Sequence, residues 1–124
     1  MYVAVACGGA LGAVGRHLLS GHIMRWAGSG FPWGTLTVNV LGSFILGVLV
    51  EVMALRWSTT EEIRAFLVVG LLGGFTTFSA FSLDAVLLLE RGSLGPAFAY
   101  IVGHLVLSIC GLFAGLLLFR QVLT

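Results

Sequence analysis

Inside runs of otherwise apolar residues, Thr35, Asn39 and Ser43 stand four positions apart, and so do Tyr100, His104 and Ser108. That i, i+4, i+8 spacing puts each trio on one face of a helix. A serine such as Ser43 has two uses in a lipid-soluble helix: it bonds a neighbouring helix, or it faces water. Asn39 demands more, because a carboxamide at membrane depth needs several partners and is costly to bury without them. Its chemistry suits the wall of a wet path. His104 has no second His, Cys or carboxylate at ligand spacing on its helix. It reads as a hydrogen-bonded spacer rather than a metal ligand or proton relay.

A third chemical feature is the segment Gly73-Gly74-Phe75-Thr76-Thr77-Phe78-Ser79-Ala80-Phe81-Ser82. Glycines are poor helix formers and small hydroxyl side chains divert backbone hydrogen bonds, so the helix is expected to be interrupted near 73–77. Backbone carbonyls freed at membrane depth must find protein, water or an ion. A binding site and a simple packing kink both satisfy that condition.

The elements that position these residues follow from composition. The 124 residues are 59% hydrophobic and 9% charged, with a mean hydropathy of +1.11, far outside the globular range. Charges cluster and leave uncharged runs at Met1 to Gly15, Trp26 to Val50, Ala65 to Leu83 and Gly92 to Phe119. A helix crosses the hydrocarbon core with about 20 apolar residues. The chain therefore reads as all-α, a single transmembrane domain over 1–124 with spans near 2–24, 34–55, 62–90 and 95–119. No room remains for a soluble catalytic domain, so an enzyme is not expected.

Smaller signals refine this plan. The apolar N-terminus has no basic residue ahead of it, so it is expected to stay as the first span rather than act as a signal peptide. Gly8 with Gly12, and Gly111 with Gly115, have the small-xxx-small spacing of close helix packing. Arg16 and Arg25 are expected to snorkel toward the headgroups, with Trp26, Phe31 and Trp33 at the interface. Thr59-Thr60-Glu61-Glu62 matches a capping box ahead of the third span. Pro96 suits a first helical turn. Cys7 and Cys110 read as buried small hydrophobes. A net charge of +1 without any Lys argues against a nucleic-acid partner.

With these residues in view the sequence resembles the Fluc (CrcB) family of fluoride channels along essentially its whole length. The glycine-rich first span ending at Arg16, Trp33-Gly34-Thr35-Leu36-Thr37-Val38-Asn39, the Gly73 to Ser82 segment, and Tyr100 with Ser108 carry the likeness. The resemblance implies a fluoride-specific channel in the cell membrane that exports F⁻ passively and lowers its toxicity. It implies a dual-topology homodimer of antiparallel subunits with two pores, and a structural Na⁺, not itself transported, held by main-chain carbonyls of Gly73 and Thr76 where two broken third helices cross. It further implies Asn39, Phe78, Phe81, Tyr100, Ser108 and Thr35 as pore-lining residues. Aromatic ring edges are electropositive, which suits Phe78 and Phe81 to weak contacts with an anion. His104, where a small hydroxyl residue is expected, and Phe75, where an aliphatic one is, depart from the pattern.

The nearest different class is a small multidrug-resistance-type proton-coupled antiporter, which needs a carboxylate in its first span. Here the first acidic residue is Glu51. A non-transporting assembly protein would account for the glycines but not for two polar stripes. The arginines divide evenly, with Arg56, Arg64 and Arg120 on the side of the termini and Arg16, Arg25 and Arg91 opposite. Orientation follows the Lys/Arg imbalance of short loops, so insertion in both directions is expected.

Overall fold

The computed structural model describes residues 1–28 and 30–123, and within them four helical runs are long and apolar enough to cross a membrane. Helix α1 spans Tyr2–Ala27 and α2 spans Trp33–Leu55. The third run, Glu61–Glu90, consists of α3 (Glu61–Arg64), a π-helical stretch (Ala65–Leu72), α4 (Gly73–Phe75) and α5 (Phe78–Glu90). Helix α6 spans Leu94–Leu123. No strand occurs among the described residues. The first and last helices outrun their expected spans, because helical hydrogen bonding continues into the interface after the apolar run has ended.

Two glycines make the turns. Gly28, at φ 89°, ends α1 with its N–H bonded to Met24 O at 2.9 Å, and Gly92, at φ 76°, lies between α5 and α6. Both conformations are left-handed and favour a residue without Cβ. At the start of α3 the cap lies one residue later than the sequence suggests. Thr60 is extended (φ −74°, ψ 159°) and its hydroxyl accepts from Ile63 N at 3.2 Å, while Thr59 Oγ1 donates to Thr60 O. Ile63 occupies the position a reciprocal Glu would need, so the cap is single rather than a box.

Helix α1 packs along the π-helical stretch and α4, and α2 packs along α6. Both seams are glycine-built. A Cβ on Gly8 would run into the backbone of Phe66, Gly70 and Leu71, and one on Gly12 into Leu71 O and the Phe75 amide. Across the other seam, Gly47 faces Leu112 and Gly115 faces Phe44 and Val48 with the same closeness. Lipid gives no hydrophobic drive for helix association, so backbone contact of this kind holds the spans together. Near the ends of α2 and α6, Arg120 grips the buried Glu51 carboxylate through Nε and Nη2 at 3.1 and 3.2 Å.

Arg16, expected at the headgroups, has a partner within the chain. Its Nε donates to Gly74 O at 3.3 Å, a carbonyl brought within reach by the close packing of α1 on α4. Cys7 and Cys110 are exposed on the outer surface of the chain rather than buried in it. Many large apolar side chains share that surface, among them Leu11, Val14, Leu18, Val102, Leu105 and Phe113. Water is the wrong solvent for such a surface.

Candidate functional site

Thr76 (φ −87°, ψ 154°) and Thr77 (φ −150°, ψ 118°) are extended between α4 and α5. The Thr77 hydroxyl caps α5 by accepting from Ala80 N at 3.1 Å, and Thr76 Oγ1 donates back to Leu72 O at 2.9 Å. These side chains satisfy backbone groups locally, as small hydroxyls at a helix terminus do.

Asn39 completes the arrangement from α2. Its Oδ1 accepts from Thr77 N at 2.8 Å and its Nδ2 donates to Thr77 O at 2.9 Å. The same Nδ2 lies 2.8 Å from His104 Nε2 on α6. One carboxamide therefore ties three of the four runs together. Asn39 and His104 are both buried. Helical spacing made His104 visible in the sequence; its bond to Asn39, 65 positions away, had no sequence signal.

A cavity of about 330 Å³ adjoins this knot, lined among others by Asn39, Phe78, Phe81, His104 and Ser108. Gly73 and Thr76 also line it. Four of the six residues expected along the pore thus come together there, as do the two expected to hold a cation. Tyr100 and Thr35 lie beyond it. Tyr100 is fully buried, and its hydroxyl donates to Asp84 Oδ2 at 3.1 Å. Asp84 is a residue the sequence reading did not single out, although it is the first acid after the uncharged third run. Thr35, half-buried, lies one turn before Asn39 on α2.

Aromatic rings form a continuous column beside the polar groups. Trp33 meets Phe31 at 4.6 Å between centroids, Phe31 meets Tyr100 edge-on at 5.4 Å, and Tyr100 meets Phe81 at 5.4 Å. Phe81 then touches His104 at 4.3 Å and Phe78 at 5.5 Å. Phe81 is buried in this column while Phe78 is three-quarters exposed at its end. No group of three or more His, Cys, Asp or Glu able to hold a metal occurs among the described residues.

Fold and site together define a small multi-pass membrane protein with an uncharged, hydrogen-bonding seam among its spans. Residues 3–116 match the model of the family described as CrcB-like protein, Camphor Resistance (CrcB), and the chain belongs to that family. It is 56% identical over 120 residues to the fluoride-specific ion channel FluC of Rhodospirillum centenum, covering 97% of this chain and 95% of the relative. It is 58% identical over 117 residues to the protein of the same name from Agrobacterium fabrum, covering 94% of each. The Nitrobacter winogradskyi protein of that name is 49% identical over 120 residues.

Proposed function

We propose that the chain is a fluoride channel that lets F⁻ leave the cell down its gradient, with Asn39, Phe78, Phe81 and Ser108 around the ion path and Tyr100 and Thr35 farther along it. The observation that carries this reading is the knot of Asn39, Thr77 and His104 beside a cavity faced by hydroxyl groups and aromatic rings. Fluoride is small and tightly hydrated, so a path for it must replace water's donors. Uncharged donors do so without trapping the ion. The names of the relatives support the same substrate. The antiporter reading lacks its carboxylate: α1 holds no acidic residue, and Glu51 is taken by Arg120.

Fluoride release from liposomes holding the purified protein tests the proposal. Phe78→Ile and Phe81→Ile keep bulk but remove the electropositive ring edge. Each is expected to lower the flux at least ten-fold with assembly intact, and wild-type flux in both would reduce the rings to packing.

The working form in this proposal is an antiparallel homodimer of dual-topology subunits, with the third span acting as two half-helices parted at Thr76 and Thr77. A two-fold axis in the membrane plane would bring both copies of the Gly73 and Thr76 carbonyls together, and a hard cation such as Na⁺ suits them. The apolar outer surface of one copy and the balanced arginines support this form. Arg16 counts in that balance although it bonds inward, because orientation is set while the chain inserts. C-terminal reporter fusions are expected on both sides of the membrane, and two arginines added to the Ser58–Thr60 loop are expected to bias them to one side. A tag found on a single side in the unmodified protein contradicts dual topology. Exhaustive replacement of Na⁺ by a much larger cation is expected to lower thermal stability or flux, and indifference of both would remove the structural ion.

A further inference from the structure

We propose that His104 is a hydrogen-bond donor to the permeating anion and that Asn39 is the residue that positions its proton. The inference rests on the channel reading and deepens it. A backbone N–H can only donate and a carbonyl can only accept, so Thr77 fixes which way the Asn39 amide faces. Oδ1 must lie at Thr77 N and Nδ2 at Thr77 O, as observed at 2.8 and 2.9 Å. The second hydrogen on Nδ2 serves His104 Nε2, 2.8 Å away, and Nε2 must accept it. A neutral imidazole that accepts at Nε2 carries its proton on Nδ1.

That Nδ1–H makes no hydrogen bond within the chain, and neither does Ser108 Oγ one turn farther along α6. His104 is only 5% exposed. Both residues line the cavity that Phe78 and Phe81 also face, and their spacing of four puts them on one helix face. An unpartnered donor at such depth is costly. Two of them, one turn apart on a helix that lines a single cavity, suit a small acceptor, and fluoride is one. Asn39 differs, because both of its Nδ2 hydrogens are engaged. It can touch the ion only by giving up a bond that holds Thr77 or His104. His104 Nδ1–H and the Ser108 hydroxyl then join the ring edges of Phe78 and Phe81 as contacts of the ion, and Asn39 sets the tautomer that presents the first.

The test uses the full-length protein in lipid with ¹⁵N-labelled histidine. Its three histidines are assigned by comparison with His104→Gln. The expected spectrum shows His104 protonated at Nδ1, with a resonance that moves on adding NaF and not on adding equal NaCl. In the flux assay, His104→Gln keeps an acceptor for Asn39 but offers no donor at the Nδ1 position. It is expected to raise the fluoride concentration for half-maximal flux by about ten-fold to a hundred-fold, the range that one lost hydrogen bond to a charged partner implies. His104→Asn, which retains a donor near Nδ1, is expected to change it less. A proton on Nε2, or an Nδ1 signal indifferent to fluoride, which means that water is the only occupant, overturns the proposal while wild-type flux leaves the channel reading in place. Wild-type protein without fluoride flux overturns the channel reading itself. If His104→Gln does not assemble, assignment by His17→Gln and His22→Gln leaves the wild-type spectrum to decide.

Discussion

Replacing Asn39 with Leu is expected to abolish most fluoride flux and to destabilise the chain by about 3 kcal/mol or more. Leu keeps the branched shape and heavy-atom count of the side chain, with bulkier methyl ends, but removes all three of its hydrogen bonds, to Thr77 N, Thr77 O and His104 Nε2. Each buried group left without a partner costs about 1–3 kcal/mol. Thr77 has extended backbone at the N-cap of α5, so its N–H has no helical partner to fall back on. Losing Asn39 therefore frees Thr77 to shift, and with it the start of α5 that carries Phe78 and Phe81. Flux and thermal unfolding measured on the same purified variant check both halves. Near-wild-type flux together with wild-type stability would show that the amide does not organise the site.

The second large effect is expected at Gly12. A Cβ there would lie 2.7 Å from the Phe75 amide nitrogen and closer still to Leu71 O. Both neighbours are backbone atoms, which no rotamer change can move aside. Gly12→Leu is expected to cost more than about 3 kcal/mol, beyond the usual cost of overpacking a core, and to prevent recovery of assembled protein. Gly21, on the same helix with nothing within 4 Å of its Cβ position, is the control. Gly21→Ala is expected to be neutral or to stabilise by up to about 1 kcal/mol through helix propensity. Size-exclusion profiles and unfolding temperatures of the two variants separate the outcomes. Equal tolerance of both would mean that α1 does not pack on the third run as described.

The contrast between these glycines shows what the sequence could and could not carry. Four spans were legible because six arginines and five acidic residues fall in clusters that leave long apolar runs. The polar faces were legible because a spacing of four is a local property of a helix. Which of those polar groups meet one another was not, since Asn39, Thr77 and His104 lie tens of residues apart and join only through packing of α2, α5 and α6. Arg16 shows the same limit. Its local surroundings suggested the headgroups, and its actual acceptor, Gly74 O, is 58 positions away. At the cap of α3 two adjacent threonines could each serve, and backbone geometry selected Thr60. The Tyr100 hydroxyl donates to Asp84, a pairing invisible without the fold.

The central claim is that this chain conducts fluoride and excludes chloride through a path of uncharged donors. It is tested most directly by recording anion release from liposomes that contain the purified wild-type protein, with fluoride- and chloride-selective electrodes used in parallel under a potassium ionophore. The account predicts rapid fluoride release that needs no proton gradient, and no chloride release above that of protein-free liposomes. Chloride release at a comparable rate, or fluoride release only with proton counter-transport, would contradict it.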